Sequence, residues 1–257
     1  MAIPNERLVT LYVDLLKRSL LDVIYDDHEG TVTGSRRGPN WPVRAHTMIG
    51  AKRLDNVEFC ARDVLRRGVL GDFIETGVWR GGATILMRGI LRAYGITDRT
   101  VWVADSFAGL PPPDAALFPD DAGDQHHTFD ALAVPLSEVQ RNFDRYGLLD
   151  DRVRFLEGWF RDTLPHAPIE RLALLRLDGD MYESTMTALE ALYPKLSAGG
   201  YCIADDYGAV PSCAKAVADF RERHGIREPM QTVDWTAVYW MKEARGGLTA
   251  AAVADST

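Results

Sequence analysis

Two pairs of carboxylates stand where apolar runs end. Leu177-Asp178-Gly179-Asp180 closes one run and Ala204-Asp205-Asp206-Tyr207 closes another. If the two runs are neighbouring strands, three or four carboxylates converge on one point. Like charges that close repel, and a hard divalent cation is the natural remedy. A cluster of Asp with neither Cys nor His suits Mg2+ or Ca2+ ahead of zinc. Single strand-end aspartates often do no more than cap helices, but two adjacent pairs argue for a metal.

A second constellation is Glu75-Thr76-Gly77-Val78-Trp79-Arg80-Gly81-Gly82, after an apolar run and before a helical stretch. Glycines there allow close approach of backbone to a ligand, and a helix N-terminus offers unpaired N–H groups to a carboxylate or phosphate. The plain alternative is a tight turn whose glycines serve packing. Trp79 and Arg80 break the GxGxxG spacing, which disfavours a dinucleotide pyrophosphate. Asp105, at the end of the next run, is placed to accept hydrogen bonds from a ribose diol beyond the carboxyl edge of a sheet. A nucleoside carrying a small zwitterion suits this combination, and S-adenosylmethionine is such a molecule.

These groups need a scaffold. Short apolar runs at 73–76, 101–104, 153–156, 172–177 and 201–204 alternate with helical spacing at 84–93, 137–146, 184–196 and 214–224. Strands separated by helices predict βαβ units and a mostly parallel sheet covered on both faces. Runs at 231–233 and 238–241 predict an antiparallel C-terminal hairpin, for seven strands in all. Two further helices are predicted at the N-terminus, over 6–25 and 47–67, the second ending at Gly68. The whole chain reads as one domain: an N-terminal helical extension (1–68), an α/β core (69–243) and a frayed tail (244–257). A glycine-rich stretch at 26–42, containing Arg36-Arg37, reads as a mobile loop with a solvated basic pair. Residues 110–135 are rich in Pro and Asp and too long for a simple connection, which predicts a lid. Phe118, Asp120, Asp121, Asp124, Gln125 and Phe129 there suit sugar faces and hydroxyls. His126 and His127 are either proton acceptors or merely solvated.

Composition narrows the partners. The chain has 257 residues, 29 Lys plus Arg against 37 Asp plus Glu, and a formal net charge of −8. That balance sets nucleic acid and anionic membranes aside. No stretch approaches the roughly 20 apolar residues of a spanning helix, and no secretory signal is visible, so a cytoplasmic enzyme is expected. Cys60, Cys202 and Cys213 form no disulfide framework or CxxC site. The apolar stripe of the first helix needs a partner, its own sheet or another subunit.

Several strings together resemble the macrocin O-methyltransferase family. They are Glu75 to Gly82, Trp102-Val-Ala-Asp105-Ser106-Phe107, Arg176-Leu-Asp178-Gly-Asp180, Ala204-Asp205-Asp206-Tyr207, Ala45-His-Thr47-Met48-Ile-Gly50, the stretch 140–148 and Gly158-Trp159-Phe160. The resemblance spans about residues 8–242, in order. It implies a class I methyltransferase, Rossmann-like α/β fold and an S-adenosylmethionine- and Mg2+-dependent enzyme. Such enzymes methylate a sugar hydroxyl, in antibiotic or polysaccharide biosynthesis, and tend to form dimers or larger homo-oligomers. Position by position, Asp178, Asp205 and Asp206 match the family's metal ligands and Asp180 its general base. Glu75, Gly77, Gly81, Asp105, Ser106 and Asp178 match the cofactor site. Thr47 and Met48 would close over the methionine end, with Gly158 and Trp159 at the adenine edge. Where the more distant catechol-type enzymes carry a lysine, this chain has Met181, which leaves the proton to Asp180. The rival reading takes Asp178 and Asp180 as the DxD of a metal-dependent glycosyltransferase, which would leave the glycine turn without a task. A non-enzymatic scaffold would have no reason to keep the carboxylates together.

Overall fold

A run such as Leu172–Leu177, buried at every position, has no solvent face, and strands of that kind assemble into parallel sheets sandwiched by helices. The computed structural model of the protein describes residues 5–24 and 44–244. The loop expected at 26–42, with Arg36-Arg37, and the tail after residue 244 lie outside the described residues. The strands are β1 (Asp72–Thr76), β2 (Val101–Asp105), β3 (Val153–Glu157), β4 (Leu172–Leu177), β5 (Leu196–Ala204), β6 (Gln231–Thr232) and β7 (Val238–Met241). They form one seven-stranded sheet in the order β3-β2-β1-β4-β5-β7-β6. β1 to β5 are parallel, and β7 runs antiparallel to both β5 and β6.

The helices are α1 (Glu6–Leu20), α2 (Gly50–Arg66), α3 (Gly82–Ala93), α4 (Leu136–Arg145), α5 (Phe160–Thr163), α6 (Tyr182–Leu192) and α7 (Pro211–Arg223). Alternation along each strand sends side chains to two cores. Phe73, Val103 and Ile203 pack under α1 to α4, whereas Ile74, Trp102 and Cys202 pack under α6 and α7. Strand order reverses between β1 and β4, so the carboxyl ends of those two strands face the crevice where open α/β sheets bind ligands.

Boundaries moved where tertiary contacts override periodicity. α1 stops at Leu20 because the returning chain takes over its end: the His46 N–H donates to the Leu20 carbonyl at 2.9 Å. The helix expected from residue 47 starts at Gly50, since 45–49 are spent packing on α3. α6 gives way to a turn at Tyr193–Lys195, where Pro194 cannot continue a helix. β5 consequently begins at Leu196, ahead of its predicted start. Gly68 lies just after α2 at φ 65°, the left-handed conformation expected of it. α1 buries Val9, Val13, Leu16 and Leu20, while Leu8, Leu11 and Leu15 remain exposed. No helix among the described residues is long and apolar enough to cross a membrane.

Candidate active site

Register brings the acidic residues together. Glu75 on β1 pairs with Arg176 on β4, and Leu177 pairs with Ala204 on β5, which sets Asp178 abreast of Asp205 one step further along. The ladder continues past the strand ends: the Asp205 N–H donates to the Leu177 carbonyl and the Asp178 N–H to the Thr76 carbonyl, both at 2.9 Å. Asp178, Asp205 and Asp206 each offer a carboxylate oxygen, all within 4.8 Å of one another. Three hard oxygen donors at that spacing fit a Mg2+-type cation. Asp206 shows the strain of the cluster. Burial first, then the charges of Asp180, Asp178 and Asp205, push its carboxyl well above the usual range.

Arg176 holds these charges in place. It is fully buried, and its guanidinium donates to Glu75, to Asp178 (2.7 Å) and to Asp205. Burial would lower its pKa, but the carboxylates, Asp205 foremost, outweigh that and hold it well above the ordinary value. Arg53, on α2, donates to the other Asp205 oxygen and pairs with Asp234 at 3.2 Å. Even so, burial lifts Glu75 to about 8, against the pull of Arg176. Asp180 rises to about 7, through burial and then the charge of Asp178. Its backbone N–H donates to Asp206 Oδ2 at 3.3 Å, at a left-handed φ of 55°.

The glycine turn does two jobs. At Gly77 (φ 83°) a Cβ would collide with the carbonyl oxygen of Asp178, so the β1 and β4 tips touch only because no side chain intervenes. At Gly82 a Cβ would run into His46 and Thr47, which press on the start of α3. Asp105 accepts from the N–H groups of Val78 (2.7 Å) and Phe107 (2.8 Å), which clamps the two turns to its carboxylate. Ser106 Oγ donates to the Gly109 carbonyl at 2.5 Å. Trp79 and Phe107, like Asp180, are non-glycine residues at positive φ just after a strand. Such conformations cost about 1–3 kcal/mol each and gather at ligand sites.

All of this borders one cavity of about 1380 Å³. Thr47, Met48, Glu75, Gly77, Asp105, Ser106, Trp159, Asp178, Asp180, Asp205 and Asp206 line it. Gly81 and Gly158 do not. Gly81 is the left-handed N-cap of α3 at φ 87°, and Gly158 is a turn whose N–H donates to the Asp105 carbonyl at 2.9 Å. Both shape the wall from behind. Of the two tryptophans in the C-terminal hairpin region, Trp240 is buried in the core, whereas Trp235 lies half exposed at the cavity edge.

The segment 110–135 lines the cavity, and hydrogen bonds tie it down on either side of His126. Trp79 Nε1 donates to the Ala131 carbonyl at 2.8 Å. Asp121, buried, accepts from the N–H groups of Tyr182 (2.6 Å) and Glu183 (2.9 Å), capping α6 from a distant stretch of chain. The two histidines part company, since His126 faces the cavity and His127 is exposed. Asp121→Ala is expected to lower stability by about 0.5–2 kcal/mol, the worth of an N-cap, and to speed cleavage within 110–135. Thermal melts with limited proteolysis check this, and unchanged cleavage would show that the cap does not hold this segment.

Sequence reasoning quoted Arg176 without giving it a role and passed over Arg53 and the cap made by Asp121. A clue existed for Arg176, because one charge inside Leu-Ala-Leu-Leu-Arg-Leu must be paired if the strand is buried. Arg53 and Asp121 carried no local mark.

Comparisons with known proteins agree with this geometry. The family described as macrocin O-methyltransferase (TylF) matches residues 31–242. The chain is 52% identical over 244 residues to the 8-demethyl-8-(2,3-dimethoxy-alpha-L-rhamnosyl)-tetracenomycin-C 4'-O-methyltransferase of Streptomyces olivaceus, covering 91% of this chain and 93% of that protein. It is 51% identical to mycinamicin III 3''-O-methyltransferase of Micromonospora griseorubida, covering 92% and 98%. The solved structure of the O-methyltransferase NovP superposes with a TM-score of 0.82 at 48% identity, covering 92% of this chain and 100% of that one. The sheet is thus the class I methyltransferase sheet, and the chain belongs to the macrocin O-methyltransferase family.

Proposed function

We propose that this protein is an S-adenosylmethionine- and Mg2+-dependent O-methyltransferase that methylates a sugar hydroxyl of a glycosylated natural product. The observation that carries this reading is the convergence of Asp178, Asp205, Asp206 and Asp180 on the wall of the cavity that the glycine turn also lines. Relatives named for rhamnosyl-tetracenomycin and mycinamicin methylation favour an antibiotic sugar over a polysaccharide unit. The family also favours methyl transfer over the glycosyltransferase reading of Asp178 and Asp180. We read residues 1–68 as an extension, 69–243 as the core and 110–135 as its lid.

The residues present suit both groups. Glu75 Oε2 is buried without a hydrogen-bond partner and its side chain lines the cavity, which suits the ammonium of a bound amino acid. Asp105 is held in place by N–H donors from Val78 and Phe107 and lines the cavity at the carboxyl end of β2, a position that suits a ribose diol. Thr47 and Met48 suit the methionine end, and Gly158 and Trp159 the adenine edge. Asp178, Asp205 and Asp206 would hold the metal. When bound, S-adenosylmethionine supplies an electrophilic methyl on a sulfonium and Mg2+ supplies a Lewis acid that lowers a hydroxyl's pKa. Asp180 would take the proton of the hydroxyl that receives the methyl group. Walls that seat donor and acceptor side by side would remove the entropic cost of their meeting in solution. Exposed Leu8, Leu11 and Leu15 support the expectation of a homo-oligomer.

The test is methyl transfer to mycinamicin III and to 8-demethyl-8-(2,3-dimethoxy-α-L-rhamnosyl)-tetracenomycin C, the acceptors for which two relatives are named. A product heavier by one CH2 unit is expected with Mg2+ and not with EDTA. Calorimetry should show binding of S-adenosylhomocysteine and none of a UDP-sugar. The opposite pattern would sink the reading.

A further inference from the structure

Between the two ties of the lid, one side chain is built to a different standard from its neighbours. His126 Nδ1 lies 2.7 Å from Asp124 Oδ2, and the other oxygen of Asp124 accepts the backbone N–H of His126 at 2.9 Å. A carboxylate only accepts, so Nδ1 carries the ring's hydrogen and Nε2 is left with a free lone pair. The ring is further set edge-on against Phe129, with centroids 5.7 Å apart. His126 and Asp124 both line the cavity, and the chain on one side of them is fixed by Asp121 on the start of α6. The next residue, His127, has none of these features and faces solvent. An imidazole whose tautomer and orientation are both fixed, beside a cavity, is a directional hydrogen-bond acceptor.

We infer that His126, oriented by Asp124, is an acceptor-binding residue carried by the lid, whose Nε2 accepts a hydrogen bond from a hydroxyl of the sugar seated beside Asp180. This rests on the methyltransferase reading above and adds to it the group that selects a hydroxylated ring from the lid side. The charged groups facing the ring are Asp124 and Asp180. Burial alone would lower the imidazole pKa; those two negative charges, Asp180 foremost, outweigh it and hold the pKa above its ordinary value. Protonation would turn Nε2 from an acceptor into a donor.

The experiment uses the full chain with S-adenosylmethionine, Mg2+ and mycinamicin III or the rhamnosyl-tetracenomycin. His126→Asn keeps a donor for Asp124 in the place of Nδ1 but has nothing in the place of Nε2. It should raise the acceptor KM by about tenfold, the worth of one good hydrogen bond. Asp124→Asn should do the same with the imidazole intact, because an amide donating to Nδ1 moves the hydrogen to Nε2. Both variants should keep the wild-type melting temperature and affinity for S-adenosylhomocysteine. A wild-type KM in His126→Asn would overturn the inference and leave methyl transfer standing. A loss that tracks lowered melting temperature or nucleoside affinity would also overturn it, by showing a structural role. A wild-type enzyme that methylates neither acceptor would overturn both.

Discussion

Asp180→Asn is expected to lower kcat by about 10²- to 10⁴-fold, the usual contribution of a positioned general base, with S-adenosylhomocysteine affinity unchanged. The substitution is a clean one for local reasons. Asp180 engages Asp206 through its backbone N–H, so that bond survives loss of the carboxylate. Its φ of 55° is one that asparagine adopts readily, so the turn after β4 should hold. What changes is that an amide cannot take a proton. Single-turnover methyl transfer, paired with calorimetry of the nucleoside product, measures the two effects separately. Turnover close to wild type would refute the base assignment and leave Asp180 as a carboxylate that orients its neighbours. Parallel loss of nucleoside affinity would instead mean that the turn had collapsed.

The second large effect is expected at a residue far from solvent. Arg176→Met should destabilise the fold by about 3–5 kcal/mol near neutral pH, as removal of one partner from a buried ionic network does. Methionine fills much of the volume, so the loss is electrostatic: Glu75, Asp178 and Asp205 would lose the cation they share, with Arg53 left beside Asp205. Burial already lifts Glu75 to about 8 and raises Asp205 with the guanidinium in place, and without it both rise further. The variant's native state would then bind more protons than its unfolded state, so its stability falls as pH rises. Urea denaturation of wild type and variant across a pH series gives both the deficit and the slope. A variant as stable as wild type at all pH values would show that the network contributes nothing to the fold.

Much of this molecule was legible in one dimension. The burial of strands such as Leu172–Leu177 and the helical spacing between them predict a parallel sheet covered on both faces, because periodicity and propensity are local properties. Placing Asp178 and Asp205 side by side needed one further assumption, that their strands are neighbours, and the Leu177–Ala204 register satisfies it. Boundaries were less readable. The end of α1 is set by a bond from His46, and the end of α6 by Pro194; only the second is written where it acts.

The sheet, the strand-end carboxylates, the glycine turn and the family were readable from residue types at short spacing. It took the folded chain to reveal that Arg176 bridges three carboxylates, that Arg53 reaches Asp205 from α2, and that Asp121 caps α6. The folded chain also decided which of two adjacent histidines faces the cavity. The physical reason is range. A buried charge must be balanced by whichever groups the fold brings within a few ångströms, and for Arg53 and Asp121 those partners lie far away along the chain.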